Sequence, residues 1–230
     1  MQMTPQRWSY TRAYLRTVFG TEDKQLRTLM PRATDGGIPD IAVSADVGRA
    51  LKILASTTNA GHGPRLAIEL GTLAGYSGIW IARALAAAEF GGPGKLITFE
   101  QNPVHADFAQ REFANAGLAD RIEIRRGGAL DGVQRLSKEI SPGAVDFAFI
   151  DAAKIEYPAY YELIRPLIAP GGIMVADNAL GSNSWWIDEH QGSSPDRDAV
   201  DRLNRTVAAD PLFESTCFPL HHGLLVARRI

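Results

Sequence analysis

The sequence predicts an α/β fold, a doubly wound and mostly parallel sheet with an N-terminal helical cap. From residue 65 onward, short apolar runs alternate with helical stretches of about 10–15 residues, a pattern typical of right-handed βαβ units with parallel strands. The last two apolar runs are joined only by a short turn around His221 and His222, so these two strands must be antiparallel to each other. Residues 1–60 carry helical signals and no strand signal. We therefore expect one domain, residues 1–230, in which a cap of residues 1–60 lies on a core of residues 61–230.

Three helices are predicted in the cap. The first follows the helical spacing of apolar residues between Trp8 and Phe19. The second begins at Thr21, before two acidic residues that favour a first helical turn, and ends at Met30 because a proline follows. Residues 32–39, with two adjacent glycines, then form a loop. The third helix begins near Ser44, a good N-cap, and ends around residues 59–61.

Five strands are predicted in the core before the terminal pair. They are residues 65–70, 95–100, 121–126, 145–150 and 172–176. The helix after the second strand is the best marked, with Asn102 as N-cap, Pro103 at the first helical position and Gly117 just past its end. The other predicted helices are an apolar stretch that reaches Phe90, a helix that starts at Asp131, and helices over residues 156–168 and 196–209.

Composition and charge exclude several classes of protein. Hydrophobic residues make up 45% and charged residues 22% of the chain, as in ordinary globular domains. The 24 basic and 26 acidic side chains leave a formal charge of −2, which is not the basic surface expected of a nucleic-acid-binding protein. The chain has one cysteine, Cys217, and no recognisable signal peptide or membrane-spanning segment. We therefore expect a cytoplasmic protein with neither a membrane nor a nucleic acid as partner.

The loop after the first predicted strand has the character of a ligand-binding turn. Glu69 is followed by Gly71 and Gly75, and glycines allow the backbone to approach a ligand closely. The second strand ends in Glu100, whose carboxylate is placed to accept hydrogen bonds from ribose hydroxyls. In a doubly wound sheet, ligands bind beyond the carboxyl ends of the strands, where both features lie. A glycine pair alone would indicate only a tight turn, but its combination with Glu100 predicts a ligand that contains a ribose.

The spacing of these residues favours S-adenosylmethionine over a dinucleotide. A dinucleotide site is expected to read G-x-G-x-x-G, with an acidic residue about 20 positions further on. Here the loop reads E-x-G-x-x-x-G, and Glu100 lies 29 residues after Gly71. A glutamate in this loop would repel a pyrophosphate. It suits S-adenosylmethionine, which carries an ammonium, a sulfonium and a ribose but no phosphate.

A second group of polar residues follows the fourth and fifth predicted strands. Asp151 ends the fourth strand, with Lys154 three residues later, and Asp177 and Asn178 end the fifth. Neighbouring strands would bring these residues together, and two carboxylates with an amide oxygen are hard ligands of the kind that Mg²⁺ prefers. Each residue taken alone is more often a helix cap, an ion-pair partner or a turn residue. Together, facing a methyl donor, they predict a divalent-cation site for Mg²⁺, with Ca²⁺ or Mn²⁺ as alternatives.

Three segments of the chain resemble the class I S-adenosylmethionine-dependent O-methyltransferases. They are AIELGTLAGYSGIWIARAL, FIDAAKIEYPAYYELIRPLIAPGGIMVADNAL and AVDRLNRTVAADPLFESTCFPLHHGLLVARR. The chain is most similar, over about residues 40–230, to the cation-dependent group that includes caffeoyl-CoA and catechol O-methyltransferases and bacterial relatives. This resemblance implies a Rossmann-like core with a seven-stranded sheet of order 3-2-1-4-5-7-6, in which strand 7 is antiparallel. Together with the loop analysis, it gives as candidate cofactor-binding residues Val43, Glu69, Gly71, Gly75, Ser77, Glu100, Gln101, Gly128, Ala129 and Asp151.

The resemblance also implies a mechanism. Asp151, Asp177 and Asn178 match the metal ligands of the family, and Lys154 matches the general base of the catechol enzymes. A phenol has a pKa of about 10 and is a poor nucleophile at neutral pH, so a bound cation that lowers this pKa and a lysine that takes the proton would both help. Many relatives carry an acidic residue near the cofactor where this chain has Ala153. This difference puts one cofactor contact in doubt and leaves the three ligands and the lysine intact.

The sequence therefore predicts an O-methyltransferase that acts on one hydroxyl of a catechol-type, phenolic small molecule. The alternatives are a methyltransferase of the same fold that works without metal or on nitrogen, and an NAD-dependent oxidoreductase, which the loop spacing disfavours. Relatives of this type are often homodimers through the N-terminal helices, and we expect the same here. Trp185 and Trp186 either place one indole at the substrate entrance or serve as a dimer contact or loop anchor. His221 and His222 are expected to form a turn with no role in the chemistry.

Overall fold

A seven-stranded sheet lies at the centre of the computed structural model, within the residues that it describes, 4–87, 89, 92–188 and 194–230. The strand order is β3-β2-β1-β4-β5-β7-β6; β7 is antiparallel to both neighbours, and the other pairs are parallel. The predicted fold class and strand order are thus confirmed. The strands are β1 (Leu66–Leu70), β2 (Lys95–Glu100), β3 (Ile122–Arg126), β4 (Val145–Ile150), β5 (Ile168–Ala176), β6 (Phe213–Phe218) and β7 (Leu224–Arg229).

Helices cover both faces of the sheet. They are α1 (Pro5–Phe19), α2 (Lys24–Asp35), α3 (Ala45–Ser56), α4 (Tyr76–Ala82), α5 (Pro103–Asn115), α6 (Ala129–Glu139), α7 (Tyr157–Ile164) and α8 (Pro195–Ala209). Successive strand residues point to opposite faces, so Phe147 and Phe149 of β4 join one hydrophobic core while Ala148 and Ile150 join the other. The first core contains residues of α2 to α5, and the second contains residues of α6 to α8. Among the described residues, no helix is long and apolar enough to cross a bilayer.

The predicted end of the second helix was wrong. Helix α2 continues through Pro31 to Asp35, and only then does the chain turn at Gly36 and Gly37. A proline inside a helix costs about 3 kcal/mol. Here Leu26, Leu29 and Ala33 lie on one face of α2 and are completely or almost completely buried, so packing on both sides of the proline keeps the helix continuous.

The predicted helix after the first strand was too long. Helix α4 ends at Ala82, and the N–H of Ala86 donates to the carbonyl oxygen of Pro64 while the N–H of Gly94 donates to that of Ala86. These hydrogen bonds draw the chain toward the start of β1 and end the helix. The predicted end of this helix, Phe90, lies outside the described residues.

The parallel register decides where the functional residues meet. Leu70 of β1 pairs with Phe99 of β2 and with Ile150 of β4, and Ile150 pairs with Ala176 of β5. The residues that follow these strands therefore emerge side by side at one edge of the sheet, where ligands bind in doubly wound folds.

Candidate functional site

A cavity of about 840 Å³ opens at this edge of the sheet. Its walls come from the segments that follow the first five strands, from the turn before β7, and from residues 40–43 and Arg16 of the cap. Most of the residues predicted to bind the cofactor or a metal line it. They are Val43, Gly71, Ser77, Glu100, Gln101, Gly128, Ala129, Asp151, Lys154, Asp177 and Asn178.

Glu69 and Gly75, also predicted to bind the cofactor, are not among the lining residues. Glu69 is completely buried beneath the cavity, where its Oε2 accepts a hydrogen bond of 2.7 Å from the hydroxyl of Thr98. Burial raises the pKa of Glu69 to about 7, although hydrogen bonds from Ser77 and Thr98 oppose the shift. Gly75 begins α4 with a positive φ of 87°, and a Cβ there would lie 2.7 Å from the ring of Phe113. In this structure both residues support the loop above them.

Glu100 joins the loops that follow β1 and β2. Its Oε2 accepts a hydrogen bond of 2.8 Å from the N–H of Leu73, and its Oε1 accepts one of 2.8 Å from the N–H of Asn102. Leu73 has a φ of 49°, in the left-handed region that non-glycine residues seldom adopt, and the bond to Glu100 helps to hold it there. A carboxylate has about four lone-pair positions, so two remain for a ligand.

Gly71 allows the tips of β1 and β4 to touch. Its φ is 97°, and a Cβ at this position would lie 2.3 Å from the carbonyl oxygen of Asp151. Only glycine fits so close to another backbone. This contact places Asp151 directly beside the glycine loop.

Lys154 and Asp151 form a close ion pair inside the cavity. The Nζ of Lys154 lies 2.6 Å from the Oδ1 of Asp151 and 3.2 Å from the carbonyl oxygen of Ala152, and both side chains are largely buried. Burial alone would lower the pKa of Lys154, but Tyr157 and the charge of Asp151 outweigh it and raise that pKa. In this arrangement Lys154 is an ammonium ion.

Asp177 adds a second carboxylate at the tip of the neighbouring strand. Only 3% of the residue is exposed, and its Oδ1 is buried with no hydrogen-bond partner. Burial raises the pKa of Asp177, and the charge of Asp151 raises it further. Asn178 follows with a φ of 61° and also lines the cavity. An unpaired oxygen beside a second carboxylate has the character of a cation site, because a positive charge would relieve both the desolvation and the repulsion.

Two carboxylates and an amide oxygen fit a divalent cation such as Mg²⁺, which keeps several water ligands and binds few protein groups. The described residues contain no group of three or more His, Cys, Asp and Glu side chains that could hold a metal ion. Nothing in this part of the chain therefore supports a metal site with a larger number of such ligands.

The turn before β7 also lines the cavity, which the sequence analysis did not predict. The ring centroids of His221 and His222 lie 4.0 Å apart, and the Trp186 ring is tilted by 75° from the His222 ring with centroids 6.5 Å apart. Burial and the neighbouring His221 lower the pKa of His222 to about 4, so its imidazole is neutral at physiological pH. Trp185 is instead buried in the core, and the two indoles therefore have different environments.

Comparison with known proteins places the chain in a family. A family model described as O-methyltransferase matches residues 18–230. The chain belongs to this O-methyltransferase family. A catechol O-methyltransferase from Niastella koreensis is 35% identical over 203 residues, which cover 88% of this chain and 86% of the relative. Caffeoyl-CoA O-methyltransferase 1 from Eucalyptus globulus is 32% identical over 200 residues, covering 83% and 75% of the two chains.

A solved structure agrees with this assignment. The O-methyltransferase from Bacillus cereus, crystallised in complex with SAH, is 30% identical and superimposes with a TM-score of 0.84, covering 98% of this chain and 99% of that chain. The protein is thus an S-adenosylmethionine-dependent O-methyltransferase, as the sequence predicted at this level.

Proposed function

We propose that this methyltransferase transfers a methyl group to one hydroxyl of a catechol-type small molecule, with the help of a divalent cation and of Lys154. The observation that carries the proposal is the buried, unpartnered oxygen of Asp177, which lines the cavity together with Asp151 and Asn178. Two adjacent hydroxyls are a natural bidentate ligand for a cation held on one side by hard oxygen donors. The 35% identity to a protein named catechol O-methyltransferase supports the same acceptor class.

S-adenosylmethionine is proposed to lie along the cavity with its ribose at Glu100. The sulfonium must face the end that holds Lys154, Asp177 and Asn178, because the acceptor hydroxyl has to reach the methyl group there. The methionine ammonium then lies near Gly71 and Val43, and the carboxylates beneath and beside this loop favour its positive charge.

The chain's own residues would then position the acceptor and handle its proton. Asp151, Asp177 and Asn178 would hold the cation, whose chemistry is to lower the pKa of a neighbouring hydroxyl. Lys154 can accept a proton only after it has lost one. Its amine therefore becomes a base only when the negative charge of Asp151 is taken up elsewhere, as it would be by a bound metal. The cavity orients acceptor and methyl donor in line, which contributes much of the rate.

A methyl-transfer assay over catechols and matched monophenols, with Mg²⁺ or with EDTA, tests the proposal. We expect turnover of catechols only, and loss of turnover in EDTA. Asp177→Asn should weaken Mn²⁺ binding measured by electron paramagnetic resonance, whereas Asp107→Asn, an exposed carboxylate on α5, should not. EDTA-resistant turnover, with no Mn²⁺ bound by the wild-type protein, would instead favour the metal-independent or nitrogen-directed alternatives.

We also propose a homodimer in which α1 forms part of the interface. Helix α1 has no buried residue and exposes five large apolar side chains. Its test is argued in the Discussion.

A further inference from the structure

Tyr157, the first residue of α7, links the two strand ends that carry the proposed cation ligands. Its side chain is completely buried, and its hydroxyl lies 3.2 Å from the carbonyl oxygen of Ile150 and 3.3 Å from that of Asp177. A carbonyl oxygen has no proton to donate, so the hydroxyl is the donor in both contacts. Both distances are longer than those of an ordinary O–H···O bond, as expected when one proton is shared between two acceptors.

The two carbonyl groups belong to the peptide bonds next to the proposed ligands. The carbonyl of Ile150 is part of the peptide bond to Asp151, and that of Asp177 is part of the peptide bond to Asn178. Asn178 follows with a φ of 61°, which a residue other than glycine seldom adopts. Holding both peptide groups restricts the directions in which the three ligand side chains can leave the backbone.

The hydroxyl of Tyr157 acts just beyond the point where strand pairing stops. The last paired residues of β4 and β5 are Ile150 and Ala176, and the N–H of Asp177 donates to the carbonyl oxygen of Ile150. The carbonyl of Asp177 follows this last pair. There the Tyr157 hydroxyl serves as the donor that a neighbouring strand supplies inside the sheet.

The ring of Tyr157 makes a separate contact with Lys154. The Nζ of Lys154 lies over the ring, 5.0 Å from its centroid, at a distance where an ammonium ion is attracted to an aromatic face. Tyr157→Phe therefore removes the contact with the two peptide groups and keeps the contact with the lysine.

We propose that Tyr157 is a positioning residue for the cation site, and that its hydroxyl holds the backbone from which Asp151, Asp177 and Asn178 extend. The inference rests on the cation site proposed above. Tyr157 itself is not among the residues that line the cavity, so its effect must pass through the ligands. Loss of a group that orients metal ligands typically weakens metal binding by about 10- to 100-fold.

Tyr161 offers a matched control on the same helix. It is 1% exposed, and its hydroxyl donates a hydrogen bond of 2.6 Å to the Oδ2 of Asp210, at the end of α8. Tyr161→Phe thus removes a buried, hydrogen-bonded hydroxyl that has no contact with the strand ends. A loss of stability alone would affect both variants, whereas a positioning role in the cation site concerns Tyr157 only.

Titration with Mn²⁺, followed by electron paramagnetic resonance, tests the proposal. The Kd for Mn²⁺ should rise about 10- to 100-fold in Tyr157→Phe and keep its wild-type value in Tyr161→Phe. Thermal melts come first, and each protein is titrated at a temperature at which it is folded. In methyl-transfer assays, the loss in Tyr157→Phe should lie mainly in the Mg²⁺ concentration needed for half-maximal turnover, and less in kcat at saturating Mg²⁺.

The outcomes separate this inference from the function proposed above. If folded Tyr157→Phe binds Mn²⁺ as tightly as wild type, the role of Tyr157 is refuted and the cation site stands. If Tyr161→Phe weakens Mn²⁺ binding equally, the effect comes from general loosening of α7, and the inference is also refuted. If the wild-type protein binds no Mn²⁺, the proposed cation site itself is wrong, and the inference fails with it.

Discussion

At the scale of single residues, Glu100 links two loops and faces the cavity at the same time. Both of its oxygens accept backbone N–H groups, and glutamine has only one acceptor oxygen, so we expect Glu100→Gln to lose one loop contact as well as the charge, with thermal melts to establish that the variant is folded. Loss of the charge should weaken binding of S-adenosylhomocysteine by about 1.5–3 kcal/mol, the range for a hydrogen bond to a charged group. Calorimetry measures this, with Glu162→Gln, an exposed glutamate on α7, as the control. Unchanged affinity in Glu100→Gln would remove this residue from the ribose site.

Glu69 gives a prediction about pH. Its pKa of about 7 in the folded protein lies above the ordinary value of 4.5, so the unfolded chain releases the proton first as the pH rises. The free energy of unfolding of the wild-type protein should therefore fall between about pH 4.5 and pH 7. Glu69→Gln has no carboxyl group at this position, so its stability should not show this fall. The free energy of unfolding of Glu69→Gln relative to wild type should rise by about 2–3 kcal/mol between pH 5 and pH 8. Urea denaturation at both pH values checks this, and an equal difference at both would show that Glu69 titrates normally.

Lys154 is an ammonium ion in the structure and a base in the proposed reaction. Lys154→Met keeps most of the side chain and removes the amine. If Lys154 takes the acceptor proton, kcat should fall by about 10²–10⁴, and it should fall less for a nitrocatechol, whose hydroxyl is already acidic. Lys138→Met, on the exposed surface of α6, is the control. Equal losses for both acceptors would point to a structural role for the ion pair with Asp151, and unchanged turnover would place the base elsewhere.

The sequence predicted the carboxylates of the site better than its histidines. Asp151 and Asp177 directly follow strands and Glu100 is the last residue of one, so strand order alone brings them to the same edge of the sheet. His221 and His222 lie in a turn, and their spacing carries no ligand pattern. A signal was nevertheless present: a last strand antiparallel to β5 must begin at the edge where β5 ends, so the turn before it faces the cavity.

At the scale of elements, the close approach of β1 and β4 depends on one glycine. Gly71→Ala should cost at least about 2 kcal/mol of stability, because it combines an unfavourable positive φ with a clash against the carbonyl oxygen of Asp151. Gly128 is the matched comparison, since its φ is −59° and nothing lies within 4 Å of a Cβ placed there. The free energy of unfolding of Gly128→Ala should stay within about 1 kcal/mol of the wild-type value, while its affinity for S-adenosylhomocysteine should fall. Thermal melts and calorimetry measure the two effects, and a stable Gly71→Ala would contradict the first.

Strands β2 and β4 have the predicted bounds, but β5 begins at Ile168, four residues before the predicted start, and the helix ends also differ from prediction. A polar residue directly follows both β2 and β4 and marks where each apolar run ends. The ends of α2 and α4 depend instead on contacts distant in sequence: burial on both sides of Pro31, and the hydrogen bond from Ala86 to Pro64. Local sequence rules carry no information about such contacts.

At the scale of the whole molecule, helix α1 leaves five large apolar side chains exposed. Trp8, Tyr10, Tyr14, Val18 and Phe19 are each between 41% and 71% exposed. A helix of 15 residues is only marginally stable in water by its own hydrogen bonds, so apolar packing is needed to hold it. Helix α1 packs against α3, whose exposed Ile53 lines a second groove, of about 410 Å³, with Phe218 of β6. The exposed apolar residues of α1, α3 and β6 thus form the surface that we expect a second copy of the chain to cover.

Light scattering coupled to gel filtration tests this dimer. Wild-type protein should have a mass of about 50 kDa, twice the 25.0 kDa of the chain. The double variant Tyr14→Asp with Ile53→Asp places charges on both helices, and we expect it to elute as a monomer, because burying two unpaired carboxylates at an interface is strongly unfavourable. Val104→Asp is the control, since Val104 is 59% exposed on α5, away from this surface. A wild-type monomer, or a dimer that only Val104→Asp disrupts, would show that the exposed side of α1 is not the interface.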